Sequence, residues 1–227
     1  MTANLIPSAS DGPQRSNRVA AALMAVTTLV MLTLLAKHPV VGPRDSVQES
    51  LAALVAMQNV DRWVHGMLMA LISILAYGLT VLSHAFKRKS PYLLIARLVY
   101  LFGCASVVAA MLLDGFVTPS IAIRYVASSV ADQQIAHGLL VLSSIAIQIF
   151  TKFGLLLMSL AFVAWALAMV SARLFPAAAV AFVSGSATAL CIVVNQVPLS
   201  PSSLMVVVAA QSLWYLAAAT LLWLDKR

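Results

Sequence analysis

The chain has 227 residues, of which 62% are hydrophobic and only 9% are charged. A soluble domain carries about a quarter charged residues, so a single soluble core cannot hide this much apolar surface. The net charge is +7, but the basic residues are scattered at the edges of apolar runs, as in membrane anchors. We therefore expect a polytopic α-helical membrane protein, with the lipid bilayer as its main partner and no nucleic-acid partner.

The N-terminal residues 1–17 are polar and are predicted to form a disordered cytoplasmic segment. The remainder, 18–227, is predicted to be a single integral-membrane domain. The apolar run over 18–37 resembles a signal peptide, but a cut after Ala36 would put Leu34 at a position that prefers a small residue. The run is therefore predicted to remain as an uncleaved first span.

Five further apolar runs follow, separated by polar or proline-containing segments that are typical of turns and connections. The predicted spans are 18–37, 61–86, 91–113, 153–172, 176–194 and 204–224. The segments predicted on the extracytoplasmic side are 38–60, 114–152 and 195–203.

The fourth helical stretch is longer than a bilayer requires. Residues 132–172 contain no proline, and at about 1.5 Å per residue they would span roughly 60 Å, twice the roughly 30 Å of a bilayer core. No turn signal interrupts them, which favours one long helix over two spans. Its outer half, 132–152, is predicted to be amphipathic and extracytoplasmic, either bent over the bundle near Gly154 or rising straight from it. Its polar side would carry Gln133, His137, Ser144, Gln148 and Thr151.

Charge placement favours six spans over seven and puts both termini in the cytoplasm. Cytoplasmic loops carry an excess of Lys and Arg. Six spans place more basic residues inside than outside, whereas seven spans reverse the balance. The predicted inside residues are Arg15, Arg18, Lys87, Arg88, Lys89, Arg173, Lys226 and Arg227, and the predicted outside residues are Lys37, Arg44, Arg62, Arg124 and Lys152. Short loops and compactness suggest a bacterial cytoplasmic membrane.

Histidines and acids gather at the predicted extracytoplasmic face. Asp61 and His65 are one helical turn apart, and Asp114 should lie at a similar depth at the end of the third span. Imidazole and carboxylate groups are suitable ligands for zinc, copper or iron. The hypothesis is a site that binds a transition metal or haem, or that handles protons, with His38 or His137 completing it. A structural interpretation is also open, because Asp61 would favour the positive end of a helix dipole.

The two cysteines, Cys104 and Cys191, lie in apolar runs without a CxxC spacing and are predicted to be small buried hydrophobic residues. No catalytic motif is present, which favours a role other than catalysis. The first functional hypothesis is an accessory protein that binds a membrane protein partner or its own copies. The alternatives are a metal- or haem-binding protein, and a small transporter or intramembrane enzyme. Charges are almost absent from the middle of the spans, which argues against a transporter.

Overall fold

A computed structural model describes residues 11–37, 44–86, 90–194 and 201–225. The described residues contain helices and no strands. The helices are α1 (Asp11–Ala36), α2 (Val47–Ala85), α3 (Pro91–Leu112), α4 (Thr118–Tyr125), α5 (Val130–Ser171), α6 (Phe175–Val194) and α7 (Pro201–Leu224). A π-helical segment, Leu113–Val117, joins α3 to α4 without a break.

Six helical stretches of the described chain are long and apolar enough to cross a membrane, counting α3, the π segment and α4 as one. The prediction of an all-α membrane bundle with six spans is therefore confirmed. The stretches are Gln14–Ala36, Val47–Ala85, Pro91–Tyr125, Val130–Ser171, Phe175–Val194 and Ser203–Leu224.

Small residues bring the central helices into close contact. α5 packs against both α3 and α6, while α1 packs against α2 and α7. A Cβ atom on Gly154 of α5 would lie 2.7 Å from the backbone oxygen of Gly103 on α3. On α6, a Cβ atom on Gly185 would lie 2.6 Å from the backbone oxygen of Ser159. Such contacts let membrane helices approach closely, and Gly154 is a packing residue within an unbroken helix rather than the site of a bend.

Five fully buried aromatic side chains occupy the centre of the bundle: Tyr100, Phe162, Trp165, Trp214 and Tyr215. The hydroxyl groups of Tyr100 on α3 and Tyr215 on α7 are 3.0 Å apart. The indole Nε1 of Trp165 on α5 donates to Ser83 Oγ on α2 at 3.0 Å. Aromatic contacts and paired polar groups therefore tie four helices together where water is absent.

Three of the helical stretches continue beyond the ends of the other helices. These stretches have 39, 35 and 42 residues, whereas the other three have 20 to 23. Their extra length lets α2, α4 and α5 bury a second, separate apolar cluster made of Leu51, Ala122 and Ala136. We call the residues 47–60, 118–125 and 130–146 the three-helix extension.

The first half of the long helix belongs to the three-helix extension and does not bend over the bundle. α5 has 42 residues in one continuous helix, as in the second predicted arrangement, and its first half packs against α4. The predicted polar side of the first half of α5 is partly buried. Its residue Gln133 is buried and donates to the backbone oxygens of Val126 and Ser128 at 3.3 Å. Ile135 and Leu142 are 58% and 64% exposed. The predicted extracytoplasmic position of this half stays a prediction.

Two helices begin before the spans predicted for them. Within the predicted disordered terminus, residues 11–17 are the first turns of α1, and residues 1–10 lie outside the described part. Within the predicted connection 38–60, α2 already begins at Val47. The serine at its N-cap, Ser46, accepts a hydrogen bond from the backbone N–H of Glu49 at 3.2 Å, which satisfies one of the free amides of a helix start.

Of the two cysteines predicted to be buried, Cys104 is buried, whereas Cys191 is exposed.

Candidate functional site

Asp61, His65 and Asp114 come together in the structure. The imidazole Nδ1 of His65 lies 3.2 Å from Asp61 Oδ1, and Nε2 lies 3.2 Å from Asp114 Oδ2. His65 is 4% exposed, whereas the side chains of Asp61 and Asp114 are 16% and 41% exposed. The Asp61–His65 pair follows from the one-turn spacing on α2, but the Asp114 contact requires the end of α3 to reach α2.

The π-helical segment Leu113–Val117 makes that contact, since it contains Asp114 and Gly115. A π segment adds a residue to the helical turn and changes the face on which the following side chains project, and such segments are frequent at functional sites. Gly115 allows the close approach, because a Cβ atom there would lie 2.5 Å from His65 Cβ and 2.7 Å from Cγ. The helix then continues into α4, although a proline, Pro119, stands in its first turn.

The hydrogen-bond geometry identifies the charge state that satisfies this cluster. Nδ1 faces the carboxylate of Asp61 and also its backbone oxygen at 2.9 Å, while Nε2 faces the carboxylate of Asp114. All of these oxygens accept hydrogen bonds when the two carboxylates are ionised, and a neutral imidazole donates from one nitrogen only. Both contacts are therefore satisfied together when His65 is an imidazolium, which leaves one net negative charge on the three residues.

A cavity of about 190 Å³ adjoins the cluster, between α1, α2, α3, α5 and α7. Most of its lining is aliphatic. Its polar lining residues are His65, Asp114, Gln148, Thr151, Gln211 and Tyr215. For comparison, an apolar protein cavity of about 150 Å³ can hold a benzene molecule. The cavity is thus large enough for a small organic molecule, and it combines a charged end with a mainly apolar body.

Gln211 on α7 is a polar lining residue that sequence analysis missed. It is 2% exposed, and among the described residues its amide Nε2 has no hydrogen-bond partner. It lies one turn before Tyr215, whose hydroxyl is paired with that of Tyr100. We call the part of the cavity lined by Gln211 and Tyr215 the deep part. The rise between Tyr100 and Asp114 on α3 puts Tyr215 roughly 20 Å from the charged end, and Gln211 lies one helical turn nearer to it. The sequence did contain a signal for Gln211, since it is the single side-chain amide in the apolar run 204–224. Polar groups inside membrane spans are rare and often functional.

The geometry does not assemble a metal centre from the predicted residues. The carboxylates of Asp61 and Asp114 contact opposite edges of the imidazole ring, so they do not converge with a ring nitrogen on one point. Within the described residues, no group of three or more His, Cys, Asp or Glu side chains could hold a metal ion. His137 is exposed on α5 and does not line the cavity, while His38 lies outside the described residues. Binding of a transition metal or haem stays a prediction.

No known protein family, curated protein or solved structure matches this chain.

Proposed function

We propose that this chain is an integral membrane protein that binds a small amphiphilic molecule in the cavity beside Asp61, His65 and Asp114. The observation that carries the proposal is the lining of the cavity. Aliphatic side chains from five helices surround most of it, and a charged pair, His65 and Asp114, stands at one end. Pre-formed pockets with an apolar body and a few placed polar groups are the usual sites for small molecules.

The charges of Asp61, His65 and Asp114 at one end of the cavity indicate which part of the bound molecule would face them. His65 and the two carboxylates carry one net negative charge when all three are ionised, and Asp114 is the most exposed of them. A ligand would therefore place a cationic or hydrogen-bond-donating group beside Asp114 and its apolar part among the aliphatic side chains. Among the hypotheses from the sequence, this proposal is nearest to the small transporter, and no catalytic step is proposed.

A matched pair of substitutions on α7 tests the proposal. Val208 lines the cavity and is 9% exposed, whereas Val206 points away and is 61% exposed. Ethylbenzene serves as a probe for the apolar part of the cavity. Val208→Phe would fill part of that space, and we expect it to weaken ethylbenzene binding at least about tenfold, because the new phenyl ring and the probe would occupy the same volume. Val206→Phe should change binding less than about twofold, within the effect of an ordinary surface substitution.

Equilibrium dialysis of the purified protein in detergent, corrected for empty micelles, measures ethylbenzene binding by both variants. Undetectable ethylbenzene binding by the unaltered protein, or equal binding by both variants, would contradict the proposal.

We also propose that both termini are cytoplasmic and that the charged cluster faces the extracytoplasmic side of a bacterial cytoplasmic membrane. The excess of predicted inside Lys and Arg residues supports this orientation. A phosphatase reporter inserted at Gly42, between α1 and α2, should be active because it would lie outside the cytoplasm. An inactive phosphatase there, with a cytoplasmic reporter active at the same position, would reverse the orientation.

The accessory role predicted from the sequence rests on a different surface. The three-helix extension presents exposed apolar side chains, of which Val130 is 76% and Leu142 is 64% exposed. Such a surface suits contact with a membrane protein partner, a second copy or lipid. Cross-linking from Leu142→Cys in intact membranes distinguishes them, with the exposed Cys191 replaced by alanine. Recovery of uncross-linked monomer alone would count against a protein partner.

A further inference from the structure

We infer that the cavity recognises a molecule whose apolar part carries a hydrogen-bond-accepting oxygen, such as a carbonyl, which receives the Nε2–H of Gln211. This inference rests on the proposed function, since it names the class of molecule that the cavity binds. It assigns the deep part of the cavity a recognition role that is separate from the charged cluster at the other end.

The side-chain amide of Gln211 is buried without an acceptor for its N–H. Gln211 is 2% exposed, and within the described part of the chain its Nε2 donates to no acceptor. Burying a donor without a partner is unfavourable, and membrane spans offer no water at their surface to satisfy it. The cost disappears when a bound molecule supplies the acceptor.

The position of the amide makes it available to a ligand. Gln211 lines the cavity, and so does Tyr215 one turn further along α7. The Tyr215 hydroxyl shares a hydrogen bond of 3.0 Å with the Tyr100 hydroxyl, whereas Nε2 of Gln211 has no acceptor among the described residues. A ligand oxygen therefore gains more by pairing with Gln211. The aliphatic lining residues Ile72, Leu155 and Val208 cannot compete for it, because they carry no polar atoms.

Other buried donors without a partner do not line the cavity. Thr188 and Trp214 also bury polar atoms without a partner among the described residues, but neither lines the cavity. Thr188 therefore provides a matched control: it is 0% exposed, it carries an unpaired buried donor, and it should not meet the ligand.

Acetophenone and ethylbenzene form the test pair, since they have nearly the same shape and differ by a carbonyl in place of a methylene. We expect the unaltered protein to bind acetophenone about three- to tenfold more tightly than ethylbenzene, after correction for partition into micelles. This is the difference in affinity that one net hydrogen bond provides. In Gln211→Leu this preference should fall below about twofold, while ethylbenzene binding persists. Thr188→Val should keep the full preference.

Gln211→Leu is expected to fold, because an apolar side chain of similar volume removes an unpaired buried donor. Gln211→Met, with an unbranched chain, provides a second version of the same test. Equal binding of the two compounds by the unaltered protein, or a preference that survives in both Gln211 variants, would overturn the inference and leave the proposed function standing. Binding of neither compound would overturn both.

Discussion

Replacing Gly115 with alanine is expected to destabilise the protein by about 1–3 kcal/mol, the usual cost of an added methyl group in a filled interior. The new Cβ atom would lie 2.5 Å from His65 Cβ and 2.7 Å from Cγ, closer than non-bonded carbon atoms approach. Either His65 or the π segment must move, and both movements separate His65 from Asp114. Equilibrium unfolding in mixed micelles measures the loss of stability.

Gly66→Ala provides the matched control for this prediction. Gly66 follows His65 on α2, and a Cβ atom there would meet nothing within 4 Å. Alanine favours a helix by about 1 kcal/mol over glycine, so this variant should be as stable as the unaltered protein or more stable. Equal stabilities of the two variants would show that Gly115 does not serve as the contact between the π segment and α2.

His65→Leu is expected to destabilise the protein by about 2–3 kcal/mol, because two carboxylates would face each other without the cation between them. Breaking a fully buried ion pair costs about 3–5 kcal/mol, and the 41% exposure of Asp114 reduces this cost through solvent screening. The same unfolding measurement applies. Asp61→Asn should cost more than Asp114→Asn, since the Asp61 side chain is only 16% exposed.

A double substitution separates the loss of charge balance from a simple loss of packing. His65→Leu combined with Asp61→Leu leaves only the exposed carboxylate of Asp114, which water can solvate. Replacing a buried ionic group by apolar residues of similar volume is often neutral, so the double variant should be more stable than His65→Leu alone. A double variant no more stable than the single one would indicate that His65 acts through packing and not through charge.

The sequence carries more information on local structure than simple apolar runs reveal. Ser46 and Glu49 have the spacing of a helix-capping pair, and α2 does begin at Val47, although the polar composition of 38–60 predicted a connection. Local side-chain hydrogen bonds decide where a helix starts, whereas hydropathy decides only which part of it can enter a membrane. The end of the polar segment 38–60 therefore predicts where the chain enters the membrane, whereas the capping pair predicts where the helix starts.

The sequence alone determined the helical class, the six spans and the pairing of Asp61 with His65, because each depends on composition or on one helical turn. The tertiary structure decided the contact of His65 with Asp114, the shared packing of α2, α4 and α5 beyond the bundle, and the cavity that Gln211 lines. The π segment shifts the helical register at Leu113–Val117, so the sequence predicted the depth of Asp114 but not its contact with His65. The cavity is a space between five helices, and its shape depends on how closely those helices pack rather than on any one of them.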